Sequence, residues 1–200
     1  MLAALARPSS AQGAGPRTLL VVGDSMSSEY GLARGEGWVA LLEKRVAAAR
    51  LPWRVVNASI SGDTTSGGRS RLPALLTQHK PALVIIELGG NDALRGLPLA
   101  MTEANLAEMA RAAKAAGARV LIAGIAVPPN YGRQYGEAFI ALFPKVARAQ
   151  GAALVPFLLA GVADGPDADN LFQPDRIHPK AEAHPRILDN VWPVLRPLLR

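Results

Sequence analysis

The stretch "ALVIIELGGND", Ala82–Asp92, decides the fold of this chain. Apart from Glu87, its first seven residues are apolar, and the four that follow are small or polar. A strand with one face in water would alternate apolar and polar residues. This run does not, as expected of a parallel strand covered on both faces. It ends abruptly in a Gly-Gly-Asn-Asp turn, so the polar chemistry begins where the strand stops.

Working outward, four more runs repeat the pattern: "TLLVV" (18–22), "WRVVNA" (53–58), "RVLIAGI" (119–125) and "ALVPF" (153–157). Amphipathic helices lie between them. Trp38, Leu41, Leu42 and Val46 recur at helical spacing, as do Leu106, Met109, Ala110 and Ala113, and then Phe139, Leu142, Phe143 and Val146. These positions are expected to be core. A last helix is expected over residues 184–199, kinked or shortened by Pro193 and Pro197. The alternation predicts a three-layer α/β/α sandwich around a five-stranded parallel sheet.

Two hundred residues, half of them hydrophobic and 19% charged, suit one folded domain. Residues 17–200 are expected to form it. Residues 1–16, "MLAALARPSSAQGAGP", are expected to lie outside it as a flexible leader or signal-peptide remnant, with small residues of the kind a signal peptidase prefers. With no cysteine, disulfides and thiolate metal sites are impossible. The net charge of +6 is carried by scattered Arg and Lys with no interleaved aromatics, a pattern of solvated surface rather than nucleic-acid binding. No apolar run approaches the ~18 residues of a membrane span, so stable membrane insertion is not expected.

The polar, Gly-rich stretches follow the strands in register. Gly23–Ser25 follows the first, Ser59–Asp63 the second, Gly89–Asp92 the third and Pro128–Gly132 the fourth. Carboxyl ends of parallel strands point the same way, so these motifs converge on one crevice. Each residue has an ordinary role when taken alone. Ser25 could cap a helix opening at that point, Gly62 could permit a positive φ, and Asn91 could close an Asx turn. As a set they supply a nucleophile, a closely approachable backbone N–H and an aimed amide. "FQPDRIHP" (172–179) follows the fifth strand. It adds Asp175 and His178 at a spacing that lets a carboxylate hold one imidazole tautomer and leave the other nitrogen free for a proton. His79 and His184 are expected at helix ends, as bystanders.

"VVGDSMS", "NASISGD", "ELGGNDALRG" and "DRIHP" together resemble the four sequence blocks of the SGNH, or GDSL, hydrolases. The flanking "RLPALL" and "PPNYGRQY" resemble the bacterial thioesterase I/lysophospholipase/arylesterase branch, and the likeness runs from about Thr18 to Leu199. It implies the flavodoxin-like sandwich of that family, with Ser25 as nucleophile, His178 as general base and Asp175 orienting it. It places the oxyanion donors on the backbone N–H of Ser25, the backbone N–H of Gly62 and the side chain of Asn91. The departures are Met26 where Leu is usual, the charge that Glu29 and Glu36 add to the loop after Ser25, and Arg176 where a small residue often stands.

The resemblance implies a metal-free, cofactor-free serine esterase for short-to-medium acyl esters, aryl esters and thioesters, lysophospholipid among the candidate substrates. Leu94, Pro128 and Tyr131 are expected to contact the acyl or aryl group. A monomer exported to the bacterial periplasm or medium is expected. The rival readings are a carbohydrate O-deacetylase on the same fold, which needs a more polar crevice, and a catalytically silent binding module.

Overall fold

The computed structural model describes residues 15–200. The expected leader lies outside the described residues except for Gly15 and Pro16, which are exposed. The five expected strands are present: β1 (Arg17–Gly23), β2 (Trp53–Asn57), β3 (Leu83–Glu87), β4 (Arg119–Ala123) and β5 (Ala153–Val155). All pair in parallel, in the order β2-β1-β3-β4-β5. This is the doubly wound flavodoxin-like order, and its β1/β3 boundary is the switch point where such folds open a crevice.

Burial follows position in the sheet. Every residue of the central β3 is buried, whereas edge strand β2 buries only Trp53 fully. Among the described residues seven helices accompany the strands: α1 (Trp38–Ala48), α2 (Thr65–His79), α3 (Gly90–Leu94), α4 (Leu99–Ala115), α5 (Arg133–Gln150), α6 (Ala168–Leu171) and α7 (His184–Leu195). Helix α1 packs against α7, while α2 packs against α4 and α4 against α5. These two groups cover opposite faces of the sheet.

The helix stripes read from sequence enter the core with one change: in α1 Val39 is buried and Leu41 only partly so. Phe139 and Phe143 of α5 meet edge to face, with ring centroids 5.3 Å apart. Burying such side chains contributes roughly 1.5–3 kcal/mol each. Helix α2 has almost no apolar stripe, since Gly67, Gly68 and Pro73 interrupt it, so periodicity does not announce it. Its start is set by Thr64, whose hydroxyl accepts the Gly67 N–H, and its end by Lys80 in the left-handed region. The last helix is shortened, as its prolines led one to expect. Helix α7 stops at Leu195 and a 3₁₀ turn, Arg196–Leu199, continues the chain around Pro197.

Ser25 does not open a helix. Residues 25–30 form a turn in which the N–H groups of Ser27 and Ser28 donate to the Asp24 carbonyl. Glu29 then takes φ 63°, outside the helical region, and ends the winding. Its carboxylate holds the loop by accepting the N–H groups of Gly35 and Gly37, each at 2.9 Å. The next helix begins only at Trp38.

Candidate active site

Gly23 of β1 lies opposite Glu87 of β3 in the sheet register, so the turns after both strands start side by side. Ser25 stands on the first. Its Oγ is 2.8 Å from His178 Nε2, across 153 positions of sequence. His178 Nδ1 is 2.7 Å from Asp175 Oδ2, and Asp175 Oδ1 accepts the N–H groups of Ile177 (2.9 Å) and His178 (3.0 Å). Arg176 takes φ 58° between them, and that left-handed residue folds the carboxylate back over its own turn. Burial works to raise the pKa of Asp175. The N–H groups of His178 and Ile177 and the His178 ring outweigh it and hold the carboxyl below its usual range.

Ser25, Gly62, Asn91, Leu94 and His178 line one crevice of about 210 Å³. Gly62 takes φ 78°, a conformation that leaves its turn open to glycine and few others. The turn is fixed from outside by Arg95, whose Nη2 donates to the Gly62 carbonyl at 2.7 Å. Arg71 braces the same corner, bonding Asp63 at 2.8 Å and the carbonyls of Ala58 and Gly23. Asn91 sits in α3, entered through Gly89 at φ 125°. That short helix is anchored by the buried Asp92, which accepts from Thr65 and Thr102 at the starts of α2 and α4.

Asn91 is not a free donor. One N–H of its amide goes to Asp24 Oδ2 at 3.0 Å. Asp24 and Glu87 are both buried. Burial pushes the Asp24 carboxyl up to about 6, against the pull of the Met26 N–H, the Asn91 amide and His178. Burial and then the neighbouring Asp24 drive Glu87 well above its ordinary range.

An apolar cleft of about 420 Å³ adjoins the crevice, sharing Met26, Leu94, Ile125 and Ile177 with it. Pro128 lines this cleft together with Val127, Phe157 and Phe172, and Asp164, Asp169 and Arg176 add charged groups to it. Tyr131 lines neither space. It sits in a 3₁₀ turn, Pro129–Tyr131, with its ring 6.2 Å from that of Tyr135.

Sequence reasoning overlooked several groups at the site. Tyr30 lines the crevice, with its ring centroid 4.3 Å from that of His178. Asp24, Asp63 and Asp92 each sit inside a quoted motif, but only the fold shows what their carboxylates bond. His79 ends α2 and His184 begins α7. His184 is buried, and its Nδ1 accepts the Trp38 N–H at 3.0 Å, which caps α1. Among the described residues, no group of three or more His, Asp or Glu side chains is placed to hold a metal ion.

A doubly wound sheet that brings a hydrogen-bonded Ser-His-Asp set to its switch point is an arrangement suited to a hydrolase. The model of the GDSL-like Lipase/Acylhydrolase family matches residues 21–186, and the chain belongs to that family. It is similar to esterase TesA of Pseudomonas aeruginosa, with 56% identity over 188 residues, 94% of this chain and 92% of that one. Thioesterase 1/protease 1/lysophospholipase L1 of Escherichia coli strain K12 is 44% identical over 182 residues, 91% and 85% of the two chains. Among solved structures, the psychrotrophic esterase EstA of Pseudoalteromonas sp., inhibited by monoethylphosphonate, superposes with a TM-score of 0.85 at 38% identity. That match covers 92% of this chain and 98% of that one.

Proposed function

We propose that the protein is a serine esterase that hydrolyses short-to-medium acyl esters, aryl esters and thioesters through an acyl-enzyme on Ser25. The observation that carries this reading is the continuous relay from Ser25 Oγ to His178 to Asp175, with contacts of 2.8 and 2.7 Å. The neutral ring of His178 takes the Ser25 proton as Oγ attacks the acyl carbonyl, then returns it to the leaving alcohol or thiol. Asp175 holds Nδ1–H and stabilises the transient imidazolium. The tetrahedral oxyanion is received by the backbone N–H groups of Ser25 and Gly62 and by the second N–H of Asn91. Water then repeats the sequence and frees the acid.

The acyl group lies in the apolar cleft, against Leu94, Pro128 and Phe157. That apolar wall suits an acyl or aryl chain, although Asp164, Asp169 and Arg176 also line the cleft. The names of the relatives, esterase and thioesterase/lysophospholipase, agree with this substrate class. Residues 17–200 act as one hydrolase domain, since one sheet and one continuous buried cluster span them. A monomer suffices, because every group of the relay comes from one chain. No helix among the described residues is long and apolar enough to cross a membrane. We place the protein in the bacterial periplasm or medium, on the resemblance of its branch.

The test is a panel of p-nitrophenyl esters and acyl thioesters of graded chain length, with Ser25→Ala as the blank and a fluorophosphonate label as a count of active serines. Turnover and labelling that both vanish in Ser25→Ala are expected. A variant keeping more than about a hundredth of the activity would remove Ser25 from the mechanism. A strong preference for acetylated sugars would move the reading to the deacetylase, and absent labelling of the wild type to a silent binding module.

A further inference from the structure

Asp24, which lines the crevice, and the buried Glu87 form a carboxyl pair that the relay does not use. Glu87 Oε2 accepts the Ser27 hydroxyl at 2.7 Å, and Ser27 Oγ in turn accepts the Trp38 indole N–H at 3.2 Å. Asp24 faces the other way. Its Oδ1 accepts the Met26 N–H and its Oδ2 accepts the Asn91 amide, each at 3.0 Å. Asp24 is only 2% exposed, so water does not substitute for either bond.

An amide side chain has two ends of similar shape and opposite character. Nothing in its own structure decides whether NH₂ or carbonyl turns to a given side. A carboxylate only accepts, so Asp24 selects the nitrogen end of Asn91. The second N–H of that nitrogen is then left for the crevice that Asn91 lines with Ser25 and Gly62. With the amide reversed, a carbonyl lone pair would face the developing oxyanion and repel it.

We propose that Asp24 is a positioning residue for the reaction, acting through Asn91 by fixing which end of its amide faces the oxyanion. The inference rests on the reading of Asn91 as an oxyanion donor. Asp24 accepts two N–H donors, from Met26 and Asn91, which favour its charged form, while burial and the neighbouring Asp24 push Glu87 well above its ordinary range. Two carboxyls side by side in the interior are costly, and the placement makes sense when one of them has a partner to orient.

The test is a double-mutant cycle on Asp24→Asn and Asn91→Ala, with kcat and KM measured on a p-nitrophenyl ester and scaled to the folded fraction from thermal unfolding. Asp24→Asn keeps the shape. Its oxygen stays with the Met26 N–H, so its NH₂ meets the NH₂ of Asn91 and forces that amide to reverse. The expected result is a fall in kcat of about 10²-fold, little change in KM, and no loss of melting temperature. In the double variant the fall should be no greater than in the worse single one. Should Asp24→Asn not fold, Asp24→Ser, whose hydroxyl can take the Met26 N–H without reaching Asn91, should show the same non-additive loss.

Losses that multiply in the double variant would mean that Asp24 acts on the charge of His178 instead, and would overturn the proposal. So would near-normal kcat in Asp24→Asn beside a large loss in Asn91→Ala. Normal kcat in Asn91→Ala alone would remove the oxyanion reading and this inference with it, a failure distinct from the other two.

Discussion

The phenol ring of Tyr30 lies against the imidazole of His178, with centroids 4.3 Å apart and planes inclined by 38°. Tyr30 is half exposed, so it is the outer wall of the base rather than part of the core. An aromatic pair of this kind contributes about 0.5–1.5 kcal/mol. Tyr30→Ala is therefore expected to lower kcat/KM about two- to tenfold by letting the ring of His178 wander, at little cost in stability. Tyr30→Phe should be near normal, since the ring and not the hydroxyl makes the contact. Steady-state kinetics on the two variants check this, and equal losses in both would contradict it.

Asn91 is tied at once to Asp24 and to the crevice, so Asn91→Ala should show two effects. Removing the oxyanion donor should lower kcat by about 10²–10³-fold with KM little changed. Removing a partner of a buried carboxylate should also cost stability, on the order of 1–3 kcal/mol. A melting curve and a titration of active serines on one preparation separate the two. A destabilised variant with normal turnover per active site would take Asn91 out of the chemistry.

The base must be uncharged to accept the Ser25 proton, so kcat/KM should fall at acid pH. Chelators should leave the rate untouched. A rate flat between about pH 5 and 8, where an imidazole ordinarily changes charge, would exclude His178 as the base.

His184 provides a pH effect on stability that is separate from catalysis. Burial lowers its pKa below the ordinary 6.5, because the interior disfavours the charged ring. The unfolded chain therefore takes up the proton first as pH falls. Stability from this group is fully present above about pH 6.5 and is lost on acidification through the lower, folded pKa. His184→Ala should be less stable than wild type at pH 8, because α1 loses the acceptor of its Trp38 N–H. The gap in melting temperature should narrow toward pH 5, and kcat per folded molecule should stay near normal. A gap independent of pH would contradict the assignment.

The apolar cleft predicts a steric handle on chain length. Ala168 is a small, partly buried residue of its lining. Ala168→Trp should depress turnover of the longer p-nitrophenyl esters while sparing the acetate. An unchanged chain-length profile would place the acyl group elsewhere.

The sequence by itself determined the sheet and the meeting of the motifs. "ALVIIEL" and its counterparts are unbroken apolar runs, and only a covered parallel sheet buries such runs on both faces. Parallel strands then bring the turns of Ser25, Gly62 and Asn91 to one edge. The pair Asp175 and His178 was legible because its hydrogen bond spans a single turn. What the tertiary structure alone decided were features that depend on approach across the fold. Helix α2 escaped notice because Gly67, Gly68 and Pro73 erase its apolar stripe, and its place is set by packing on α4. The helix expected at Ser25 is replaced by a turn, since Glu29 bonds the N–H groups of Gly35 and Gly37 instead of continuing the winding. Tyr131 turned to Tyr135, and Tyr30 to His178, by loop geometry that no local pattern encodes. The bond between Asp24 and Asn91 spans 67 positions and exists only because β1 and β3 are neighbours in the sheet. Local propensity and periodicity act over a few residues, whereas the partner of a buried carboxylate is chosen by which strands lie side by side.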